Sequence, residues 1–267
     1  MTRAEVSFKD RLAHWFGGFG IDVYAFRRGI KGLSTVLDDY QQFKSQHIST
    51  EQFPITFSYP CLGDRFEESG IASGHYFHQD LLVARKIYER SPACHVDIGS
   101  RLDGFVAHVA SYRGIEVLDI RPITKKVHNI VFRQFDLMKP DGNFVEYCES
   151  LSCLHTLEHL GLGRYGDAID VNGYWKGFET LFSILRPGGT LYLSVPIGPQ
   201  RIEFNAHRVF SIRTILHMVA GKFDLIEFSY VDDDGDLYEN VSLTEDVIES
   251  SFNCWYGCGI FELCKIT

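Results

Sequence analysis

The rhythm of apolar and polar positions changes near residue 94. Upstream, FKDRLAHWF and STVLDDYQQFKS carry mixed helical signals, broken by Gly17, Gly18 and Gly20. Residues 51–75 hold Pro54, Pro60, Gly63, Gly70 and Gly74 and read as a loop-rich passage. HQDLLVARKIYERSP then has apolar residues at 81–84, 87 and 88, which predicts a helix covering a sheet and stopping before Pro92. From residue 94, short apolar runs alternate with helical stretches. CHVDIGS, IEVLDI, HNIVFRQFDL, FVEYCESLSCLH and TLYLSVPIG predict five strands. GFVAHVASYRG reads as a helix with Gly114 past its end, and YWKGFETLFSILRPGG as an amphipathic helix with a Pro-Gly-Gly stop. KFDLIEFSYVDDDG and YGCGIFELCKIT predict two C-terminal strands, with room for a short helix in residues 237–253.

Strands alternating with helices at this spacing call for an α/β fold, a parallel sheet covered on both faces. Residues 1–75 are expected to form an N-terminal helical and loop extension, and residues 76–267 the main domain. A chain of 267 residues, 45% hydrophobic and 23% charged, has a sizeable core within reach. Its formal net charge of −9, without a Lys/Arg block, weighs against a phosphate-gripping nucleic-acid binder. Cys61, Cys94, Cys148, Cys153, Cys254, Cys258 and Cys264 show no paired rhythm and read as free thiols of a reducing compartment. No run of 18 apolar residues and no apolar leader segment occurs, so a cytoplasmic protein without a membrane span is expected.

Open α/β sheets bind ligands beyond the carboxyl ends of their strands, where the strand order reverses. In HVDIGSRLDGFVAHV, Gly99 permits a sharp turn and Gly104 a close start to the helix. Asp119 closes the second strand, where a carboxylate can accept both ribose hydroxyls. A dinucleotide fingerprint needs a middle glycine for the backbone to approach a pyrophosphate, and that position is Arg101. S-adenosylmethionine lacks a phosphate and has no such requirement. Asp97, two residues before Gly99, suits its sulfonium and ammonium.

Residues 94–198 resemble class I S-adenosylmethionine-dependent methyltransferases through DIGS, VLDI, FDL and LRPGGTLYLSVP. The runs VDIGSRLDGF, HTLEHLGLGRYGD, LYLSVPIG and FNAHRVF resemble, more narrowly, an uncharacterised methyltransferase-like family known as a domain of unknown function. The resemblance implies a Rossmann-like sheet, mostly parallel, of seven strands with an antiparallel last strand. It implies S-adenosylmethionine as cofactor, held by Asp97, Gly99, Ser100, Arg101 and Gly104, by Asp119 and Ile120, and by Asp136 and Leu137. Arg101 departs from the glycine that many methyltransferases keep.

Methyl transfer to a hydroxyl needs a positioned acceptor and a base or metal. LSCLHTLEHLG after the fourth strand carries His155, Glu158 and His159, which share one face if the segment turns helically. GPQRIEFNAHRVF after the fifth carries His207. These four are the catalytic candidates, read either as a histidine base or as a divalent-metal site. The metal reading resembles the Glu-x-x-Glu-His arrangement of small-RNA 2′-O-methyltransferases, with His155 where the first glutamate would stand. A third possibility has Glu158 and His159 only shaping the loop. His75, Tyr76, His78 and Gln79 precede the first strand as a segment that either closes over the site or packs the extension. Asp232–Asp236 has its glycine out of register for an EF-hand and reads as a solvated turn. The function expected is O-methylation of a small polar acceptor such as a sugar or glycan precursor. The rival is a catalytically silent relative that binds cofactor or a protein partner.

Overall fold

Each apolar run that ends in Asp or Gly becomes a strand of one twisted sheet, and the helical stretches between them lie on its two faces. The computed structural model describes residues 8–46, 55–67 and 69–267. The chain divides into two compact units, Met1–Ile71 and Ala72–Thr267. In the first, α1 (Phe8–Gly18) and α2 (Val23–Gln46) are helical. Both expose large apolar side chains, including Trp15 and Phe26.

The second unit begins with α3 (His75–Arg90) and β1 (His95–Ile98). A wide helical turn at Leu102–Val106 runs into α4 (Ala107–Ala110). Next come β2 (Ile115–Asp119), β3 (Ile130–Gln134) and β4 (Cys148–Leu154). They are followed by α5 (Gly173–Ile184), β5 (Leu185–Ile197) and a hairpin of β6 (Arg201–Glu203) and β7 (His207–Val209). The chain closes with α6 (Ile212–Val219), β8 (Phe223–Val231), β9 (Leu237–Tyr238), α7 (Glu245–Ser250) and β10 (Gly257–Lys265).

The sheet order is β3-β2-β1-β4-β5-β10-β8-β9. Strands β1 to β5 pair in parallel, and β10 runs antiparallel to both β5 and β8. This is the Rossmann-like methyltransferase sheet of seven strands, extended by the two-residue edge strand β9. One face is covered by α5 and α6, with Phe178, Leu181, Ile184 and Ile215 buried. The other is covered by α3 and α4 through Leu82, Val83, Ile87 and Val109. Lys86 of α3 also reaches Glu227 and Glu262 on β8 and β10, at 2.8 and 3.0 Å.

Two local expectations change. The helix ends at Ile184, before the Pro-Gly-Gly, and Leu185 already pairs with Cys148. Arg186 precedes Pro187 and is steered to extended backbone, while the Tyr147 N–H takes the Ile184 carbonyl at 2.7 Å. The acidic turn at 232–236 is also more than solvated. The Asp233 carboxylate accepts the backbone N–H groups of Trp255 and Tyr256 at 2.6 and 2.8 Å, fixing the chain that leads into β10.

Phe178→Ala tests the α5 face, because its side chain is fully buried. The expected loss is about 3–5 kcal/mol in denaturant unfolding, against less than about 0.5 kcal/mol for the exposed Val131→Ala on β3. Equal losses would mean that α5 does not pack where it is drawn.

Candidate active site

The reversal of strand order falls between β1 and β4, and the loops leaving these strands part around a cavity of about 630 Å³. Gly99 forms the turn after β1 at φ +78°, and an added Cβ would meet the Thr156 methyl at 2.5 Å. Thr156 in turn donates to the carbonyls of Ile98 and Leu154, each at 3.2 Å, tying the two strand ends together.

Asp97 lies beneath this turn, fully buried, and does not line the cavity. It accepts the Ser100 N–H (3.0 Å), the Ser100 hydroxyl (2.9 Å) and the Ser152 hydroxyl (2.6 Å). Its place on the cavity wall is taken by Asp80 of α3, which sequence reasoning missed. A Cβ at Gly104 would come within 2.8 Å of the Asp80 carboxylate, so this glycine keeps room for an acid. Burial pushes Asp97 up to about 7 and Asp80 up to about 6. The one signal for Asp80 was an acid in an apolar helix face, beside Leu82 and Val83.

Gly99, Ser100, Arg101 and Gly104 line the cavity, as do Asp119, Ile120, Asp136 and Leu137. Arg101 turns outward, its side chain 72% exposed and paired with Asp103, so its guanidinium does not fill the space over the turn. Asp119 is held by a residue not foreseen: Arg121 donates to it through its backbone N–H (2.7 Å), Nε (3.0 Å) and Nη2 (2.6 Å). The Arg121 guanidinium also lies 4.6 Å from the Tyr165 ring. Tyr165 belongs to a loop stapled by Asp167, which accepts the N–H groups of Gly161, Gly163 and Tyr165. The Asp136 carboxylate caps the Met138 N–H at 3.0 Å and pairs with Lys139.

His155 and His159 also line the cavity, with Glu158 buried behind them. His155 sits at the end of β4 in the left-handed region, φ +48°, a conformation that costs a non-glycine residue about 1 kcal/mol or more. Its Nδ1 lies 2.7 Å from Glu158 Oε1. His159 donates from Nδ1 to the Ala206 carbonyl at 2.6 Å, leaving Nε2 3.7 Å from the same carboxylate oxygen. Burial would raise Glu158, but the facing imidazoles of His155 and His159 hold it below the usual glutamate range. Burial would lower His155; the Cys258 and Glu158 side chains beside it reverse the sign and raise it. Burial lowers His159, although Glu158 opposes the shift. His75 is pushed down to about 4 by burial and by the neighbouring His155.

His207 lies off the cavity wall, its ring centroid 4.8 Å from that of Tyr256. The four-residue metal centre does not assemble: among the described residues, no three of His155, Glu158, His159 and His207 bring ligand atoms within 4.8 Å of one another. Tyr76 and Gln79 do reach the cavity, from the start of α3.

A family model described as Caenorhabditis protein of unknown function, DUF268, matches residues 115–252. No curated protein matches the chain. The fold is similar to that of 1,6-didemethyltoxoflavin-N1-methyltransferase from Burkholderia thailandensis, solved with 1,6-didemethyltoxoflavin and S-adenosylhomocysteine bound. The identity is 14%, over 71% of this chain and 79% of that one, with a TM-score of 0.50. It is also similar to the N-methyltransferase NodS from Bradyrhizobium japonicum WM9, at 13% identity over 72% and 88% of the two chains and a TM-score of 0.47. An S-adenosylmethionine-dependent methyltransferase from Clostridium acetobutylicum ATCC 824 gives 10%, 72%, 92% and 0.48.

The raised Asp97 pKa carries a stability consequence with a definite sign. The folded chain holds this proton up to about pH 7, whereas the unfolded carboxyl releases it near 3.9. The contribution is therefore fully present below pH 4 and is lost as pH rises through 7. Relative to Asp97→Asn, the wild-type chain should lose melting temperature between pH 5.5 and pH 8. A constant difference across that range would show that Asp97 is charged throughout.

Proposed function

The chain belongs to the family described as Caenorhabditis protein of unknown function, DUF268, and we propose that it is an S-adenosylmethionine-dependent methyltransferase acting on an oxygen of a small polar acceptor. One observation carries the reading: a single cavity at the strand ends is lined both by the Asp119 carboxylate and by the His155 and His159 imidazoles. The first suits a ribose and the second an acceptor that must lose a proton. The methyltransferase sheet supports the same reading.

The lining residues fit the cofactor. Ile120, Phe135 and Leu137 offer an apolar slot for a base, with Asp136 at its edge. Asp80 offers a polar group for the amino-acid moiety. Arg121 occupies Asp119, so its side chain must release the carboxylate before a diol can be accepted. Tyr165 gives the displaced guanidinium an aromatic face to rest on. When bound, the cofactor supplies an activated methyl group on a sulfonium.

The remaining chemistry falls to the protein. His159 is the residue assigned the acceptor proton. Its Nδ1–H is fixed on the Ala206 carbonyl, so Nε2 carries the lone pair, and burial keeps the ring neutral at neutral pH. Glu158 and His155 orient the wall beside it. Asp97, Ser100 and Gly99 hold the turn that shapes the cofactor end. The acceptor class we favour is a sugar or glycan precursor, in keeping with the polar wall of Tyr76, Gln79, His159 and Arg164.

Calorimetric titration of the purified chain should detect S-adenosylhomocysteine but not NAD, since no glycine stands at 101 for backbone approach to a pyrophosphate. Asp119→Ala should weaken binding at least tenfold, about 1.4 kcal/mol. An unchanged affinity in the folded variant would remove the cofactor assignment.

His159→Ala should abolish transfer while leaving S-adenosylhomocysteine affinity nearly intact. The wild-type rate should hold through neutral pH and fall on the acid side, below the ordinary histidine value of about 6.5. Transfer that survives in His159→Ala would move the base elsewhere.

A further inference from the structure

Behind the cavity, three potential metal ligands from distant parts of the chain converge. His75 starts α3, His155 follows β4, and Cys258 lies near the start of β10. One ligand atom from each lies within 4.8 Å of the other two. The rings of His75 and His155 are parallel within 2°, with centroids 5.2 Å apart. The His155 side chain is only 3% exposed, yet its Nε2 has no hydrogen-bond partner. The Cys258 thiol stands on that side of the ring, and a buried ring nitrogen without a well-formed hydrogen bond is costly.

We propose that His75, His155 and Cys258 bind one divalent ion of the zinc class, with Glu158 fixing His155 and the fourth position turned to the cavity.

Two imidazoles and a thiolate are the donor types such an ion prefers. A tetrahedral centre with bonds of about 2.0–2.3 Å spaces its ligand atoms at roughly 3.5 Å, so small side-chain rotations close the observed gap. The Glu158–His155 pair has the form that metal-binding histidines show: a carboxylate takes the Nδ1–H and leaves Nε2 for the ion. Binding forms two N–metal bonds and one S–metal bond, and the Cys258 thiol proton goes to solvent. No oxidation or reduction is involved. Three protein ligands leave one position for a water or an acceptor oxygen, and His155 lines the cavity from which either would come.

A thiol–imidazole pair acting as a nucleophile uses the same Cys258, His155 and Glu158 but has no need of His75. It also needs access, and Cys258 is 0% exposed. The metal reading stands apart from the cofactor reading and can fail or succeed without it.

The test is titration of the full chain, freed of metal by chelator dialysis, with Co²⁺ followed by absorption. One equivalent should produce thiolate-to-cobalt charge-transfer absorption and tetrahedral d–d bands, and one equivalent of Zn²⁺ should abolish them. Cys258→Ser should lose the charge-transfer absorption. Glu158→Gln should weaken Co²⁺ binding about 10–100-fold, and His75→Ala should weaken it further. His75 is only partly buried, so His75→Ala carries the test if Cys258→Ser does not fold. Absence of charge transfer in the folded wild-type chain, or Co²⁺ affinity unchanged in His75→Ala, would overturn the proposal. Rapid alkylation of Cys258 in the metal-free chain, unaffected by His75→Ala and by added Zn²⁺, would replace it with the nucleophile. S-adenosylhomocysteine titration of the same samples reports the cofactor site separately.

Discussion

A carboxylate buried to 1% exposure has to be compensated by its surroundings, and the candidate site is arranged around that demand at Glu158. The compensation comes from imidazoles. His155 meets Oε1 at 2.7 Å and His159 approaches it at 3.7 Å, while Oε2 has no partner. The nearby Arg208 guanidinium is used elsewhere, on the backbone carbonyls of Glu158, Leu160 and Val171. It holds the loop in place and leaves the carboxylate to the histidines. The orientation of both rings, and so which nitrogen each offers, follows from this burial. A polar site built in this way is fixed by packing around it as much as by its own bonds.

The acids at the ends of β1 and β2 obey the same rule with the opposite outcome. Asp119 and Arg121 neutralise each other in place, and Asp97 is satisfied by three hydroxyl or amide donors. The strand ends therefore carry two kinds of acid. Those beneath the turn keep the backbone in shape, and those on the wall are within reach of a ligand.

Strand ends were legible in the sequence because an apolar run must stop where the sheet does, and Asp97, Asp119 and Asp136 mark those stops. Which of them faces the cavity was not legible, since alternation along a strand assigns faces and not depth beneath a turn. Asp80 and Arg121 escaped for a related reason. Their importance comes from one partner each, the space above Gly104 and the Asp119 carboxylate, and neither partner is marked by a motif. The pairing of His159 with Ala206, and of His155 with Cys258, joins residues far apart in the chain. Local spacing groups His155 with Glu158, whereas His207 comes near Glu158 and His159 only through the hairpin, which also sets its ring against Tyr256.

The strand that completes the sheet is the last in chain order. β10 inserts between β5 and β8, with antiparallel partners on both sides from Gly257 to Lys265. Its Lys265 ammonium then donates to the carbonyls of Phe182 and Leu185, where α5 gives way to β5, each at 2.7 Å. During synthesis on the ribosome, β5 must wait with an open edge while residues 198–256 are made. That edge is almost wholly apolar from Leu191 to Ile197, the kind of unpaired strand that recruits other chains. Until β10 pairs with it, β5 is open to wrong partners even though it ends in the middle of the finished sheet.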